Sequence, residues 1–218
     1  MNQKGLLITF EGSEGSGKTT QIRKAADYLT GKGFSCIVTE EPGGTRLGNE
    51  LRNLLLNRSS LRITGKSELL LFAAARAQHV TEVIRPALSA GTIVLCDRYS
   101  DATVAYQGFG RGVDISDVRW INNFASHDLQ PDLTLFFNLP VETGLGRARG
   151  RVAKMTTGPA EDRFESEDLD FHMRVWEGYY TLIREEPGRF RIIDASKGVD
   201  AVYGDICRCL DEVLGHST

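Results

Sequence analysis

The stretch Gly12-Ser13-Glu14-Gly15-Ser16-Gly17-Lys18-Thr19, written GSEGSGKT, decides how the rest of this chain is read. It has the spacing G-x-x-x-x-G-K-[ST]. It follows the apolar run Leu6–Phe10 and opens a helical pattern over 18–31, the strand–turn–helix setting in which that spacing carries a mechanism. Glycines let backbone N–H groups turn inward around phosphate oxygens, and a helix N-terminus adds partial positive charge. Lys18 then reaches β- and γ-phosphates, and the Thr19 hydroxyl serves as a ligand for Mg²⁺. The candidate nucleotide-binding residues are Gly12, Ser13, Glu14, Gly15, Ser16, Gly17, Lys18, Thr19 and Thr20. Glu14 stands out among them, because a carboxylate inside an anion cradle needs a reason.

Working outward, strand-like and helix-like stretches alternate. Short apolar runs occur at Leu6–Phe10, Cys36–Thr39, Thr92–Cys96, Leu133–Phe137 and Phe190–Ile193. They are nearly continuous in apolar character, as expected for strands covered on both faces. Helical periodicity marks 18–31, 47–57, 67–90, 115–126, 166–185 and 199–214, with Pro86 predicting a kink or break in the third. The alternation predicts a doubly wound α/β fold: a five-stranded parallel sheet flanked by helices, of the P-loop NTPase kind. The segment 150–162 is polar, contains Gly and Pro, and reads as a loop long enough to be a mobile lid or a disordered segment.

Composition narrows the classes. At 218 residues, a single domain spanning 1–218 is expected. The formal net charge of −3 gives no basic field pointing to nucleic acid as partner. No apolar run approaches the ~20 residues of a membrane span, and the opening MNQKGLLITF is not expected to act as a signal peptide. Cys36 and Cys96 lie in strand-like runs, and Cys207 and Cys209 make a poor zinc site. Reduced thiols and a cytoplasmic location are expected.

A second motif ends the third apolar run: Asp97-Arg98-Tyr99. Ligands of parallel sheets gather at the carboxyl ends of strands. Asp97 is therefore a candidate for the Mg²⁺ shell with Thr19, and Arg98 for a phosphate. Two functional classes compete: a small-molecule kinase, and a regulatory module whose output is conformational. The guanine-reading N-K-x-D motif of many switches does not occur, and the length leaves little room for a motor. A kinase needs a second anion site. Arg52, Arg76, Arg98, Arg147, Arg149 and Arg151 each fall near a loop or helix end where the ligand edge of the sheet is expected. Phe72 and Arg76, four residues apart, share a helix face and suit a nucleobase, the ring by stacking and the guanidinium by donating to a base edge.

At this point the chain resembles the thymidylate kinase family over nearly its whole length. The resemblance rests on FEGSEGSGKTT (10–20), EEPGGT (40–45), LLFAAARAQH (70–79), VLCDRYSDATVAYQG (94–108), PDLTLFFNL (131–139) and EDRFE (161–165). It implies phosphoryl transfer from MgATP to dTMP, giving dTDP for dTTP biosynthesis, by an enzyme that is usually a homodimer. A UMP/CMP-type kinase is the alternative within the kinases. By the same resemblance Phe72 stacks on thymine, Arg76 donates to its O4, and Thr103 and Gln107 lie along the base edge. Tyr106 packs under the deoxyribose, and Arg52 and Arg98 hold the dTMP phosphate. Glu41-Pro42-Gly43-Gly44 forms the turn that brings the acceptor to the phosphate loop, and Glu14 faces the sugar.

Two features depart from the commoner pattern. Some members carry an arginine beside the acid of the phosphate loop, where this chain has Gly15. The resemblance then implies a lid, at about 147–165, that supplies the catalytic cations. Lys18, Arg98, Arg149 and Arg151 are the candidate catalytic residues, with Arg147 beside them. The family often has arginine before E-P-G-G, and here that position is Glu40.

Overall fold

In the computed structural model, residues 4–57, 61–154 and 163–215 are described, the side chains of 151–154 excepted. The strands are β1 (Leu7–Gly12), β2 (Cys36–Glu40), β3 (Ile93–Asp97), β4 (Leu133–Asn138) and β5 (Phe190–Asp194). They form one parallel sheet in the order β2-β3-β1-β4-β5. The helices are α1 (Lys18–Gly31), α2 (Arg46–Leu56), α3 (Gly65–His79), α4 (Arg85–Ser89), α5 (Ser100–Thr103), α6 (Ile115–Ser126), α7 (Val141–Lys154), α8 (Leu169–Glu185) and α9 (Val199–Val213).

Strand periodicity sorts the core. On β1, Ile8 and Phe10 point to one face and pack with Ile22, Ala25 and Leu29 of α1 and Ile206 and Leu210 of α9. Leu7 points the other way, into a cluster with Val80, Ile84 and Val94. On that second face Phe136 packs with Val175 and Tyr179 of α8. Every residue of β1 is buried. The expectation that all strands are covered on both faces fails at the sheet edges, because β2 and β5 each lack a neighbour on one side. Val38 and Ile192 are about half exposed there, at 47% and 50%. The neighbours of β1 lead away in opposite directions along the sheet, so the loops after β1 and β3 diverge and leave a crevice.

Three segments differ from their reading in the sequence. The 67–90 helix is not broken at Pro86. Its strain is absorbed by a π-helical turn, Val80–Ile84, just before Pro86 in the first turn of α4, and the wider turn relieves the contact between a proline ring and the preceding carbonyl. Residues 100–110, which carry no strand or helix assignment in the sequence reading, form α5 followed by π-helical Val104–Gly110. The segment 150–162, expected to be a loop, starts as helix, because α7 continues to Lys154 despite Gly144, Gly146 and Gly150. The rest of that segment, 155–162, lies outside the described residues.

Candidate active site

The loop after β1 turns through left-handed Gly15 (φ 67°) and Gly17 (φ 90°) before α1 begins at Lys18. The Lys18 ammonium is folded back into this loop. It donates to the carbonyls of Gly12 (2.9 Å) and Ser13 (2.8 Å) and to Ser16 Oγ (3.2 Å). Burial pushes Lys18 down to about 8, with Arg98 adding to the effect. Thr19 Oγ1 lies 3.4 Å from Asp97 Oδ2. These two hard oxygen donors, from the start of α1 and the end of β3, fit Mg²⁺, which binds few protein groups alongside water and substrate phosphate. No cluster of three or more His, Cys, Asp or Glu able to hold a metal occurs among the described residues.

A cavity of about 270 Å³ opens from this loop. Its wall includes Glu14 to Thr20, Asp97 and Arg98 together with Arg52, Phe72, Arg76, Thr103, Tyr106 and Gln107. The fold thus brings together nearly all the residues proposed from sequence. Gly12 and Ser13 stand behind the wall, with their carbonyls turned to Lys18. Arg149 is exposed on α7, away from the wall. Arg147, on the same helix, donates to the Ala195 carbonyl beyond β5 (3.2 Å). The side chain of Arg151 lies outside the described residues.

Glu14 is the electrostatic centre of the site. Its Oε1 accepts from Arg98 Nη2 (2.9 Å) and from the Tyr106 hydroxyl (2.6 Å). Burial opposes ionisation of Glu14, but Arg98 and Lys18 outweigh it and hold the carboxyl below its usual range. Its buried Oε2 has no hydrogen bond among the described residues and lies 3.6 Å from His172 Nδ1. Arg98 itself adopts φ 65°, a left-handed backbone that non-glycine residues rarely take and that concentrates at functional sites. That conformation carries its guanidinium over the Tyr106 ring, 4.8 Å from the centroid.

Arg76 is not a solvated helix charge. It is 1% exposed and donates to Glu41 Oε2 (2.7 Å), Asn122 Oδ1 (2.6 Å) and Thr103 Oγ1 (2.9 Å). A guanidinium has five N–H donors, so two remain for the cavity. The Glu41 carboxylate that holds it also faces His79 Nδ1 at 3.0 Å. Arg52 donates to the Pro42 carbonyl (2.7 Å) and pairs with Glu40 at 3.2 Å. The acid at position 40 therefore lies against Arg52, where a basic residue would repel it.

Other groups at or behind the cavity wall escaped the sequence reading. Glu11, deep on β1, accepts from the Tyr99 amide and the Tyr179 hydroxyl, both at 2.7 Å. Burial, with Asp101 nearby, pushes it up to about 8. Glu68, Arg163 and Phe164 were also missed. Phe164 covers the cavity beside Phe72 (6.2 Å between centroids) and Tyr106 (5.5 Å, edge-on). The only signal for it was its place in the EDRFE stretch.

The structure also explains Gly15. A β-carbon there would overlap the carbonyl oxygen of Gly144, in the first turn of α7. Reciprocally, one at Gly144 would meet the Glu14 carbonyl at 2.6 Å. The phosphate loop and α7 are seated on each other through this glycine pair.

A parallel sheet with a glycine loop, lysine and threonine after its first strand and an acid at the end of a neighbouring strand defines a P-loop nucleotide-binding protein. Comparison with known proteins narrows the class. The thymidylate kinase family matches residues 10–206. The chain is 52% identical to the thymidylate kinase of Syntrophus aciditrophicus, over 94% of each chain, and 55% identical to that of Desulfovibrio desulfuricans, over 88% of each. The crystal structure of thymidylate kinase from Ehrlichia chaffeensis superimposes with a TM-score of 0.74 at 32% identity, covering 95% of this chain and 99% of that one. The chain belongs to the thymidylate kinase family.

Proposed function

We propose that this protein transfers the γ-phosphoryl group of ATP to dTMP, forming ADP and dTDP. One observation carries the reading: a single cavity joins the phosphate loop to a wall made by Phe72, Arg76 and Gln107. Two substrates bound at its two ends meet phosphate to phosphate.

ATP lies with its β- and γ-phosphates in the Gly12–Thr20 loop, and Lys18 leaves the loop carbonyls to donate to them. Thr19 and Asp97 would hold Mg²⁺, which would supply neutralisation of the phosphate charge. Phe72 stacks on thymine, Arg76 donates to O4, and Thr103 and Gln107 line the remaining edge. Arg52 exchanges Glu40 for the dTMP phosphate, and Arg98 touches the same phosphate from the other side. A dTMP phosphate oxygen attacks the γ-phosphorus in line as the bond to the β-γ bridging oxygen breaks, and ADP leaves with that electron pair. Two like unit charges at ~5 Å cost roughly 3 kcal/mol at an effective dielectric of ~20. Lid cations, with Arg149 and Arg151 as the candidates, offset that cost in the transition state.

The chain acts as one catalytic domain over 1–218, with the lid at about 147–165. A homodimer is supported by the outer faces of α3 and α6, where Leu70, Trp120 and Phe124 stand exposed at 57%, 69% and 74% and the Trp120 and Phe124 rings stack at 5.8 Å. Exposed apolar patches of this kind mark protein contacts. Sedimentation equilibrium tests it: the expected mass is twice that of the chain, and a monomer at micromolar concentration contradicts it. All four cysteines are free thiols, which supports a reducing, cytoplasmic setting. No described helix is long and apolar enough to cross a membrane.

Titration with dTMP alone tests the base site. Stacking on an aromatic ring contributes ~1–3 kcal/mol, so Phe72→Ala should weaken dTMP roughly 5- to 150-fold and leave ATP affinity unchanged. Equal dTMP affinity in both proteins contradicts the assignment.

A further inference from the structure

We infer that Glu68, a buried acid outside the cavity wall, sets which end of the Gln107 amide faces the base. The inference rests on the reading that Gln107 lies along the thymine edge. Glu68 sits in the first turn of α3 with a fully buried side chain. Its Oε1 accepts from Gln107 Nε2 (2.8 Å) and Arg111 Nε (3.2 Å), and its Oε2 from Arg163 Nη2 (2.6 Å).

A primary amide is ambiguous by itself, because half a turn about its last bond exchanges a donor for an acceptor. An unrestrained glutamine beside a base therefore accepts a base N–H or donates to a base nitrogen with little preference. Glu68 removes the ambiguity. Facing two guanidinium groups, its carboxylate offers only lone pairs to Gln107. The amide must turn its NH₂ toward Glu68. The opposite orientation would set the Gln107 oxygen against a carboxylate oxygen and lose a charge-assisted hydrogen bond. Gln107 lines the cavity, and the end left to it is the carbonyl oxygen.

That oxygen is an acceptor and suits a base carrying a proton on N3. Thymine and uracil carry one, whereas cytosine presents a lone pair there. Glu68 is thus a positioning residue for base choice. It acts through Gln107 and complements Arg76, which reads position 4. Arg111 and Arg163 keep the carboxylate compensated. Arg163 is fixed in turn by donating to the Leu55 carbonyl (2.9 Å), and its own amide donates to the Leu56 carbonyl (3.0 Å).

The test compares dTMP with O4-methyl-dTMP, which keeps an oxygen at position 4 but has a lone pair on N3. The quantity read is the ratio of their kcat/KM values. In Glu68→Gln the side chain at 68 offers both a donor and an acceptor, so Gln107 can turn either way, and the ratio should fall at least tenfold from wild type. Arg111→Gln removes another partner of Glu68 but keeps the Gln107 contact, so it should lower Tm and leave the ratio unchanged. An unchanged ratio in folded Glu68→Gln, with Gln107→Ala lowering it, overturns the role of Glu68 alone. An unchanged ratio in Gln107→Ala overturns the underlying placement of Gln107. Should Glu68→Gln fail to fold, the wild type decides. The Gln107 side-chain amide protons, assigned by NMR through their loss in Gln107→Ala, should exchange far more slowly than free amides. Exchange at the free rate contradicts a fixed orientation.

Discussion

The guanidinium of Arg98 and the carboxylate of Glu14 meet at 2.9 Å, joining the turn after β3 to the phosphate loop after β1. The pair explains why an acid is tolerated among phosphate-binding amides. One oxygen of Glu14 is compensated by Arg98 and Tyr106, and the other is buried without a hydrogen bond among the described residues. We propose that a sugar hydroxyl of dTMP donates to this second oxygen.

The prediction for Glu14 follows. Hydrogen bonds to charged groups are worth ~1.5–3 kcal/mol, so Glu14→Ala should lose roughly 10- to 150-fold in kcat/KM for dTMP. With a 3′-deoxy analogue of dTMP, wild type should be slow and the same substitution should cost little more, as expected for partners in one contact. Equal losses with both substrates would mean that Glu14 only holds Arg98.

Of the arginines proposed for the lid, Arg147 and Arg149 are both exposed on α7, and Arg147 donates to the Ala195 carbonyl. Steady-state kinetics should show Arg149→Ala or Arg151→Ala lowering kcat roughly a hundredfold, the scale of an important electrostatic donor, with a much smaller rise in KM for dTMP. Near-normal kcat in both, and in Arg147→Ala, would refute a catalytic lid.

Lys18 should give the free enzyme a pH limb. Its amine is pushed down to about 8 by burial and by Arg98. Phosphate needs the protonated form, which is lost as pH rises through that value. Because kcat/KM reports the free enzyme, its value for ATP should fall above pH 8. A profile flat to pH 9.5 contradicts this.

Gly15 should resist substitution. It combines a positive φ with a backbone neighbour where a side chain would start. The left-handed conformation alone costs roughly 1–2 kcal/mol for other residues, and the Gly144 carbonyl adds to it. Gly15→Ala should lower Tm by several degrees and reduce kcat, whereas Gly146→Ala, where a β-carbon meets nothing within 4 Å, should leave Tm unchanged or raised. A Gly15→Ala protein as stable as wild type would mean that α7 moves away from the loop at no cost.

Much of this architecture was legible in the sequence because local signals agreed. The limits of α1 follow from Lys18 opening a helix after glycine and Gly31 closing it. The strands follow from short apolar runs that lack helical spacing. What escaped was set by contacts distant along the chain. Glu68 and Gln107 are 39 residues apart, and Glu11 and Tyr179 are 168 apart. Nothing local marks such acids as buried. Helix α7 was hidden by its three glycines, poor helix formers that are tolerated where Gly144 docks on the phosphate loop. Arg76 was visible as a motif residue, but its burial against Glu41 was not.

The most direct test of the whole account is an ADP-release assay with MgATP against dTMP, dUMP, dCMP and UMP. Arg76, the proposed partner of position 4, has only donors to offer, and an unsatisfied donor pair in a dry pocket costs ~1–3 kcal/mol for each group. The thymine methyl contributes only about 1 kcal/mol. dTMP should be the best substrate, dUMP a weaker but real one, and dCMP strongly rejected. Phosphorylation of dCMP or UMP as efficient as that of dTMP would contradict the proposed function.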